Sequence, residues 1–299
     1  MRERVCQNES LSLIRDRILS EFLQSSTPTY HFGACRLAFY SRSCSAPLSP
    51  HFYAPMAIVV IQGAKEVCVG SEEFRYGPGV CFLCGVDIPV TSCVVQADAA
   101  SPYLALSLTL NLDLLAELTA KMPPIAQANP HFLGAQSLQL DPDLLDAFAR
   151  LVELARQAKP VLADLVIREI HFRLLESSFG VALRSLVTCD SQAYRISQVI
   201  SHLKAHFAEP FSVKKLADLA NMAPSTLHKY FKEITAVSPL QYQKRLRLGE
   251  ARRLLLAEAL DVTEAAMRVG YESSTQFIRE YKRLFGEPPR RSLRQQRSK

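Results

Sequence analysis

The sequence predicts an α+β chain of two domains: an N-terminal antiparallel β-barrel with flanking helices, then an all-α domain that carries two helix-turn-helix units. Three observations lead there. The 299 residues, 48% of them hydrophobic, exceed one comfortable core and suffice for two. Between Pro55 and Asn111 the chain is β-branched, apolar and punctuated by glycine, whereas helical spacing dominates afterwards. The last third writes nearly the same helix-turn-helix pattern twice.

The boundaries expected are 1–185 for the first domain, with the β-barrel at about 30–111 and helices at about 112–180. Residues 186–193 form a linker, and 194–299 the second domain. No apolar run approaches the ~20 residues of a membrane helix; the longest, such as AIVVI, are strand-sized. The start, MRERVCQNES, puts acid and amide groups where an export signal has its apolar stretch. A cytoplasmic protein with no membrane partner is expected.

The net charge of +6 is unevenly divided. Residues 194–299 hold 20 Lys+Arg against 10 Asp+Glu, leaving 15 against 19 for residues 1–193. A basic domain beside a mildly acidic one points to a polyanion partner for the basic one alone, against the plainer reading of a solvated basic surface.

In the first domain, MAIVVIQGAKEVCVG and EEFRYGPGVCFLCG are broken by Gly63, Gly70, Gly77-Pro78-Gly79 and Gly85 in the manner of hairpins, and TSCVVQADAASPYLALSLTLN continues the pattern. Strands at this spacing fit a small antiparallel barrel or a double-sheet jelly roll, either able to enclose a ligand cavity. Tyr53, Gln62, Tyr76 and Tyr103 are candidates for facing an unknown small-molecule effector, with core packing the competing role for each. Seven of the eight cysteines (Cys6, Cys35, Cys44, Cys68, Cys81, Cys84 and Cys93) precede residue 94, and Cys189 lies near the junction. Cys81 and Cys84 have C-x-x-C spacing without a second pair, and read as buried strand residues. The cysteines nevertheless leave a thiol-based electrophile or redox sensor as an alternative.

Nothing supports an enzyme. His31, His51, His131 and His171 stand apart, none in a His-x-His arrangement; G-x-S-x-G, a glycine-rich phosphate loop and H-E-x-x-H are all missing. No catalytic residue, metal site or cofactor is expected. Downstream, DPDLLDAFARLVELARQ opens with Asp141 as N-cap and Pro142 at the first helical position, and a second helix is expected to run to Gly180. The pair can cover the barrel and also form a homodimer interface within 141–180.

The doubled unit is the most informative stretch. In the first copy, FSVKKLADLA leads, with Val213, Leu216, Leu219 and Ala220 expected inside. NMAP turns, and STLHKYFKEI trails with Leu227, Tyr230, Phe231 and Ile234 at core spacing. Ser225, Thr226, His228, Lys229 and Lys232 remain outside. In the second copy VTEAAMRV leads, GYES turns and STQFIREYKRLF trails over Phe277, Tyr281 and Leu284, leaving Ser274, Thr275, Gln276, Ile278, Arg279, Lys282 and Arg283 outside. The offset is 49 across the leading helices and 50 across the trailing ones, so one extra residue lies in the second turn. Such faces suit a major groove: Arg or Lys reads guanine, Gln reads adenine, small hydroxyls reach base edges, and the other cations hold phosphates. Between the copies, Pro239 to Leu256 predicts an 18-residue helix, roughly 27 Å at ~1.5 Å per residue. That length can hold two reading helices in successive major grooves, ~34 Å apart along one face of the duplex. Gly249 within it is expected to admit a neighbouring helix.

LADLANMAPSTLHKYFKEITAVSPLQYQKRLRLGEARRLL and AAMRVGYESSTQFIREYKRLFGEPP resemble the DNA-binding domain of the AraC/XylS family of bacterial transcription regulators. Upstream, IVVIQGAKEVCVG, FRYGPG, VDIPV, PYLALSL and VIREIHFRLL resemble the subgroup with the AraC-type regulator N-terminal domain. The resemblance implies a cupin-like sensor and dimerisation half, a DNA-binding half, a small-molecule or chemical signal, and activation of promoters through contact with RNA polymerase. It also implies Ser225, His228 and Lys229 as base readers in the first helix and Ser274, Thr275, Gln276 and Arg279 in the second. Ala223 departs from the family pattern, which often has serine before that proline; losing the cap removes about 1 kcal/mol of local stability.

Overall fold

The computed structural model describes residues 2–24, 29–33, 36–124, 132–258 and 260–291, with the backbone alone for residues 2–8, 21–24 and 30. The side chains of Cys6, Cys35 and His131, and residues 292–299 of the expected second domain, lie outside the described residues.

Helix α1 (Arg2–Gln24) precedes strands β1 (Thr29–Phe32), β2 (Leu37–Arg42), β3 (Ser49–Tyr53), β4 (Met56–Gln62), β5 (Ala64–Val69), β6 (Glu72–Tyr76), β7 (Val80–Cys84), β8 (Ile88–Gln96) and β9 (Tyr103–Thr109). Helix α2 (Leu112–Ala120) separates them from β10 (Ala135–Gln139). The strands form two antiparallel sheets, one ordered β1-β2-β9-β4-β7-β10 and the other β3-β8-β5-β6. This corrects the expected barrel: among the described residues no ladder joins the sheets, so there is no closed barrel and each sheet keeps two edges.

The reason lies in how the larger sheet is buried. One face offers Ala57, Val59, Ile61, Leu83, Leu104 and Leu106 to a helical layer containing Ile14, Phe148 and Ile170. Its other face offers Ile58, Val60, Phe82 and Ala105 to Val67, Val69, Ile88 and Val90 of the smaller sheet. With a layer on each side, all apolar surface is covered without closing the ladder, as in packed sheets. AIVVI is continuous rather than alternating for the same reason.

Helix α3 (Pro142–Arg156) begins as expected, its Asp141 carboxylate accepting from the Leu144 amide at 2.8 Å. The next helix does not reach Gly180. Instead α4 (Pro160–Glu176) stops early, and Gly180 opens α5 (Gly180–Val187), where a Cβ would sit 1.9 Å from the Leu175 carbonyl. Residues 188–191 connect α5 to α6 (Gln192–Ala205). The chain then continues through α7 (Val213–Ala220), α8 (Pro224–Thr235), α9 (Pro239–Ala257), α10 (Val262–Arg268) and α11 (Ser274–Phe285).

The sandwich and these helices are in direct contact. Tyr242 of α9 donates its hydroxyl to the Asp87 carbonyl at 2.9 Å, and Lys204 pairs with the Asp87 carboxylate at 2.6 Å. The Gly134 amide donates to the Ile234 carbonyl at 2.8 Å, and Phe52 of β3 meets the Tyr242 ring edge-on.

Candidate nucleic-acid interface

In the first helix-turn-helix, Ser212 caps α7 by accepting from the Lys215 amide, and Leu216, Ala217 and Ala220 are buried. Leu219 was expected inside but is 49% exposed, because this short helix turns it to the edge of its apolar stripe. Asn221 closes α7 in the left-handed conformation (φ 49°). Leu227, Phe231 and Ile234 anchor α8, with Tyr230 half-buried, and no side chain caps the helix at Ala223. Ser225, His228, Lys229 and Lys232 are exposed, and Thr226 is half-buried.

The second unit repeats this geometry. Asp261 caps α10, accepting from the Thr263 amide at 2.6 Å and the Glu264 amide at 3.1 Å. Gly270, 49 positions after Asn221, is also left-handed (φ 84°), and a Cβ there would meet the Ala208 carbonyl oxygen at 2.1 Å. Ala223 and Ser273, which stand at the N-caps of α8 and α11, are 50 apart. The extra residue therefore falls between the left-handed position and the cap, where Met222 is replaced by Tyr271-Glu272. Phe277 and Tyr281 are fully buried beneath α11 and Leu284 half-buried. Thr275, Gln276, Ile278, Arg279, Lys282 and Arg283 are exposed, and Ser274 is half-buried.

Gln276 carries a second attachment. Its amide donates to Glu280, a buried carboxylate that also accepts from Lys244 at 2.7 Å and from the Tyr271 hydroxyl at 2.8 Å. Burial alone would raise the Glu280 pKa; the bonds from Lys244, Tyr271 and Gln276 outweigh it and hold the carboxyl below its usual range.

The positive charge carried by the two trailing helices is not neutralised among the described residues. Among the described residues Lys229, Lys232, Arg279, Lys282 and Arg283 form no ion pair, whereas Arg253 on α9 is tied to Glu250 and Glu258, and Arg150 to Asp146 and Glu169. Unneutralised cations on two similar helices can meet phosphate oxygens and base edges without first breaking internal bonds. Between the units, α9 has 19 residues, about 28 Å of helix at ~1.5 Å per residue. Ser238 caps it, and its Arg247 bonds to the second turn. Gly249 was expected to admit a neighbouring helix and does not: among the described residues a Cβ there would meet only Phe52 of β3, at 4.0 Å.

The four effector candidates divide. Tyr53 and Tyr103 line a cavity of about 390 Å³ between the sheets. Gln62 instead donates to the Pro102 carbonyl at 2.8 Å, and Tyr76 stacks on Phe82 in the core. Sequence reading missed Arg42, His51 and Lys65, which also line the cavity. Lys65 shares the inward register of Val67 and Val69 on β5, and a cation in that register was the available signal. Of the thiols, burial pushes Cys81 up to about 12 and Cys84 well above its ordinary value; desolvation and nearby carboxylates also raise Cys68 and Cys93. Each shift opposes thiolate formation. His171 is structural: its Nδ1 hydrogen-bonds the Ile167 carbonyl and its Nε2 accepts from the Asn111 amide. Among the described residues no cluster of three or more His, Cys, Asp or Glu could hold a metal, and no helix is long and apolar enough to cross a membrane.

Residues 34–182 match the family described as the AraC-type transcriptional regulator N-terminus, and residues 216–295 match a helix-turn-helix domain. The chain belongs to the AraC/XylS family of transcriptional regulators. Among curated relatives, the HTH-type transcriptional activator RhaS of Enterobacter sp. (strain 638) is 38% identical over 96 residues, covering 32% of this chain and 34% of RhaS. RhaS of Escherichia fergusonii is 37% identical over 132 residues, covering 43% and 46%. The chain thus spans less than half the length of these relatives, both described as transcriptional activators. Among solved structures, ToxT from Vibrio cholerae O395 aligns over 85% of this chain and 96% of its own, with a TM-score of 0.55 and 10% identity. An apo ToxT variant from another V. cholerae strain aligns over 86% and 97%, with a TM-score of 0.58 and 11% identity. At that identity the likeness is one of fold.

Proposed function

We propose that this chain is a cytoplasmic, effector-responsive regulator that reads promoter DNA with α8 and α11 in adjacent major grooves. Residues 194–299 form the DNA-binding part, and residues 1–185 the sensor and dimerisation part. The observation that carries this reading is the pair of repeated helices, on a basic domain, whose exposed cations form no ion pair among the described residues and stand beside amides and hydroxyls. Ser225, His228 and Lys229 on α8, and Ser274, Thr275, Gln276 and Arg279 on α11, are the base-facing set. Thr226, Lys232, Lys282 and Arg283 serve the flanking backbone. Activation is supported by the relatives' designation as transcriptional activators, and contact with RNA polymerase is the route that the family resemblance implies.

The test separates base reading from phosphate contact. Arg279→Ala is expected to weaken specific DNA by ~1 to 3 kcal/mol and relax one base pair, whereas Lys232→Ala weakens all sequences alike and flattens the salt dependence. Equal losses on specific and random DNA from both substitutions would contradict these roles.

Dimerisation is proposed through α4. Val161, Leu162, Leu165 and Phe172 on its outer face are exposed, at 76%, 47%, 63% and 39%. A second copy of the same stripe would cover them. Sedimentation of the full-length chain is expected to give a dimer that Leu165→Glu dissociates; a monomer at high concentration would refute the interface.

A further inference from the structure

The cavity between the sheets has a chemical character of its own. Among the described residues its lining contains Arg42 and Lys65 and not one aspartate or glutamate. Among the described residues neither cation forms an ion pair, although Lys65 is half-buried and held 5.2 Å from the Tyr53 ring centre. Tyr103, 3% exposed, brings to this lining a buried hydroxyl that has no hydrogen-bond partner among the described residues. Burial raises the pKa of that hydroxyl, so it keeps its proton and remains a donor. Ser92 accepts from the Tyr53 hydroxyl at 3.0 Å, which leaves its own proton to give. Met56, Ile58 and Val94 supply apolar wall.

A buried hydroxyl without a partner is uncommon, and so is a cavity whose charges all have one sign. His51, at the rim, registers the same field. Desolvation, then Lys65, Arg252 and Arg42, draw its pKa down from 6.5 to about 4. A neutral occupant would leave the half-buried Lys65 without a counter-charge, while Arg42 is exposed and solvated, and a cationic occupant would be repelled.

We propose that this cavity takes a small organic monoanion, a carboxylate on an apolar body, with Arg42 and Lys65 facing the carboxylate and Tyr103 and Ser92 donating hydrogen bonds to it. The inference rests on the effector-responsive reading and names the effector's class. The cavity volume lies in the range of small-molecule sites, and the combination of few convergent donors with apolar walls is what orients such a ligand. Its occupant also touches the strand that meets the DNA-binding half, since Phe52 of β3 lines the cavity and packs edge-on against Tyr242 of α9.

The test is isothermal titration calorimetry of the full-length protein with benzoate, 3-phenylpropanoate and 4-phenylbutanoate, each beside its neutral amide. At least one acid is expected to bind about ten-fold or more tightly than its amide, as a charge-assisted hydrogen bond implies. Lys65→Met and Arg42→Met should each reduce that preference while leaving amide binding unchanged, and Tyr103→Phe should weaken the acid a few-fold. The far-ultraviolet circular dichroism of each variant checks that it is folded. The proposal is overturned if no acid binds better than its amide, or if the preference survives both cation substitutions. The titration contains no DNA: its failure beside intact sequence-specific DNA binding overturns the ligand class alone, whereas failure of DNA binding overturns the regulator reading.

Discussion

Replacing Arg247 by methionine should loosen the joint between the two helix-turn-helix units. From the middle of α9 its guanidinium donates to the Phe207 carbonyl at 2.7 Å and the Gly270 carbonyl at 2.8 Å. It donates also to Ala208 at 3.2 Å and Glu209 at 2.7 Å. Phe207, Ala208 and Glu209 belong to the connection that follows α6, and Gly270 is the left-handed residue of the second turn. One side chain therefore ties the spacer helix to both. Burial lowers the guanidinium pKa, yet arginine stays charged in proteins, so these are charge-assisted bonds. The bonds to Ala208 and Glu209 are exposed enough for water to replace. The two part-buried ones, at ~1.5 kcal/mol each, set the expected loss at about 3 kcal/mol. Methionine keeps the apolar stem, so little packing is lost with the charge. Urea unfolding followed by circular dichroism measures the change, with Arg247→Lys retaining part of it. A loss below about 0.5 kcal/mol would refute the idea that this residue holds the joint.

Three further changes follow from local geometry. Ala223→Ser places an acceptor at the uncapped start of α8, where φ −65° and ψ 147° already suit an N-cap. It should add about 1 kcal/mol, read as a higher melting temperature. Gly249→Ala should stabilise α9 by up to about 1 kcal/mol, since the added Cβ meets only ordinary contact at Phe52; a fall in melting temperature would show that the contact is tighter. His51 holds its proton in the folded chain only near pH 4, against 6.5 when unfolded. The unfolded chain therefore binds the extra proton between those values, and the stability His51 contributes above pH 6.5 is lost as pH falls towards 4. His51→Gln should flatten that stretch of the stability profile, measured by thermal melts at pH 7 and pH 5.

The helical half was legible because its signals are local. Proline at the first turn of α8 and α9, apolar residues at three- and four-residue spacing, and a repeated turn each mark structure within a few positions. The difference of one residue between the two copies could be counted, but only the positive φ of Asn221 and Gly270 located it beyond the left-handed position. The sandwich was less legible because strand partners are non-local: β2 pairs with β9, and β3 with β8. Two-sided burial also erased the alternation that would have separated the faces of β4 and β9. Gly180 was read as a stop, although a glycine that begins a helix against a neighbouring carbonyl looks the same in sequence. On the reading faces, Thr226 and Ser274 are half-buried where full exposure was expected, and Gln276 is tethered to Glu280. Among the proposed effector contacts, Tyr53 and Tyr103 reached the cavity, but Arg42 could not be assigned to it while the path of β2 was unknown.

The most direct measurement is selection of bound sequences from a random DNA pool by the full-length protein, repeated with Arg279→Ala. Two conserved segments one helical turn apart are expected, with the substitution degrading only the segment read by α11. A motif with a single segment, or two segments degraded equally, would contradict the claim that α8 and α11 read adjacent grooves.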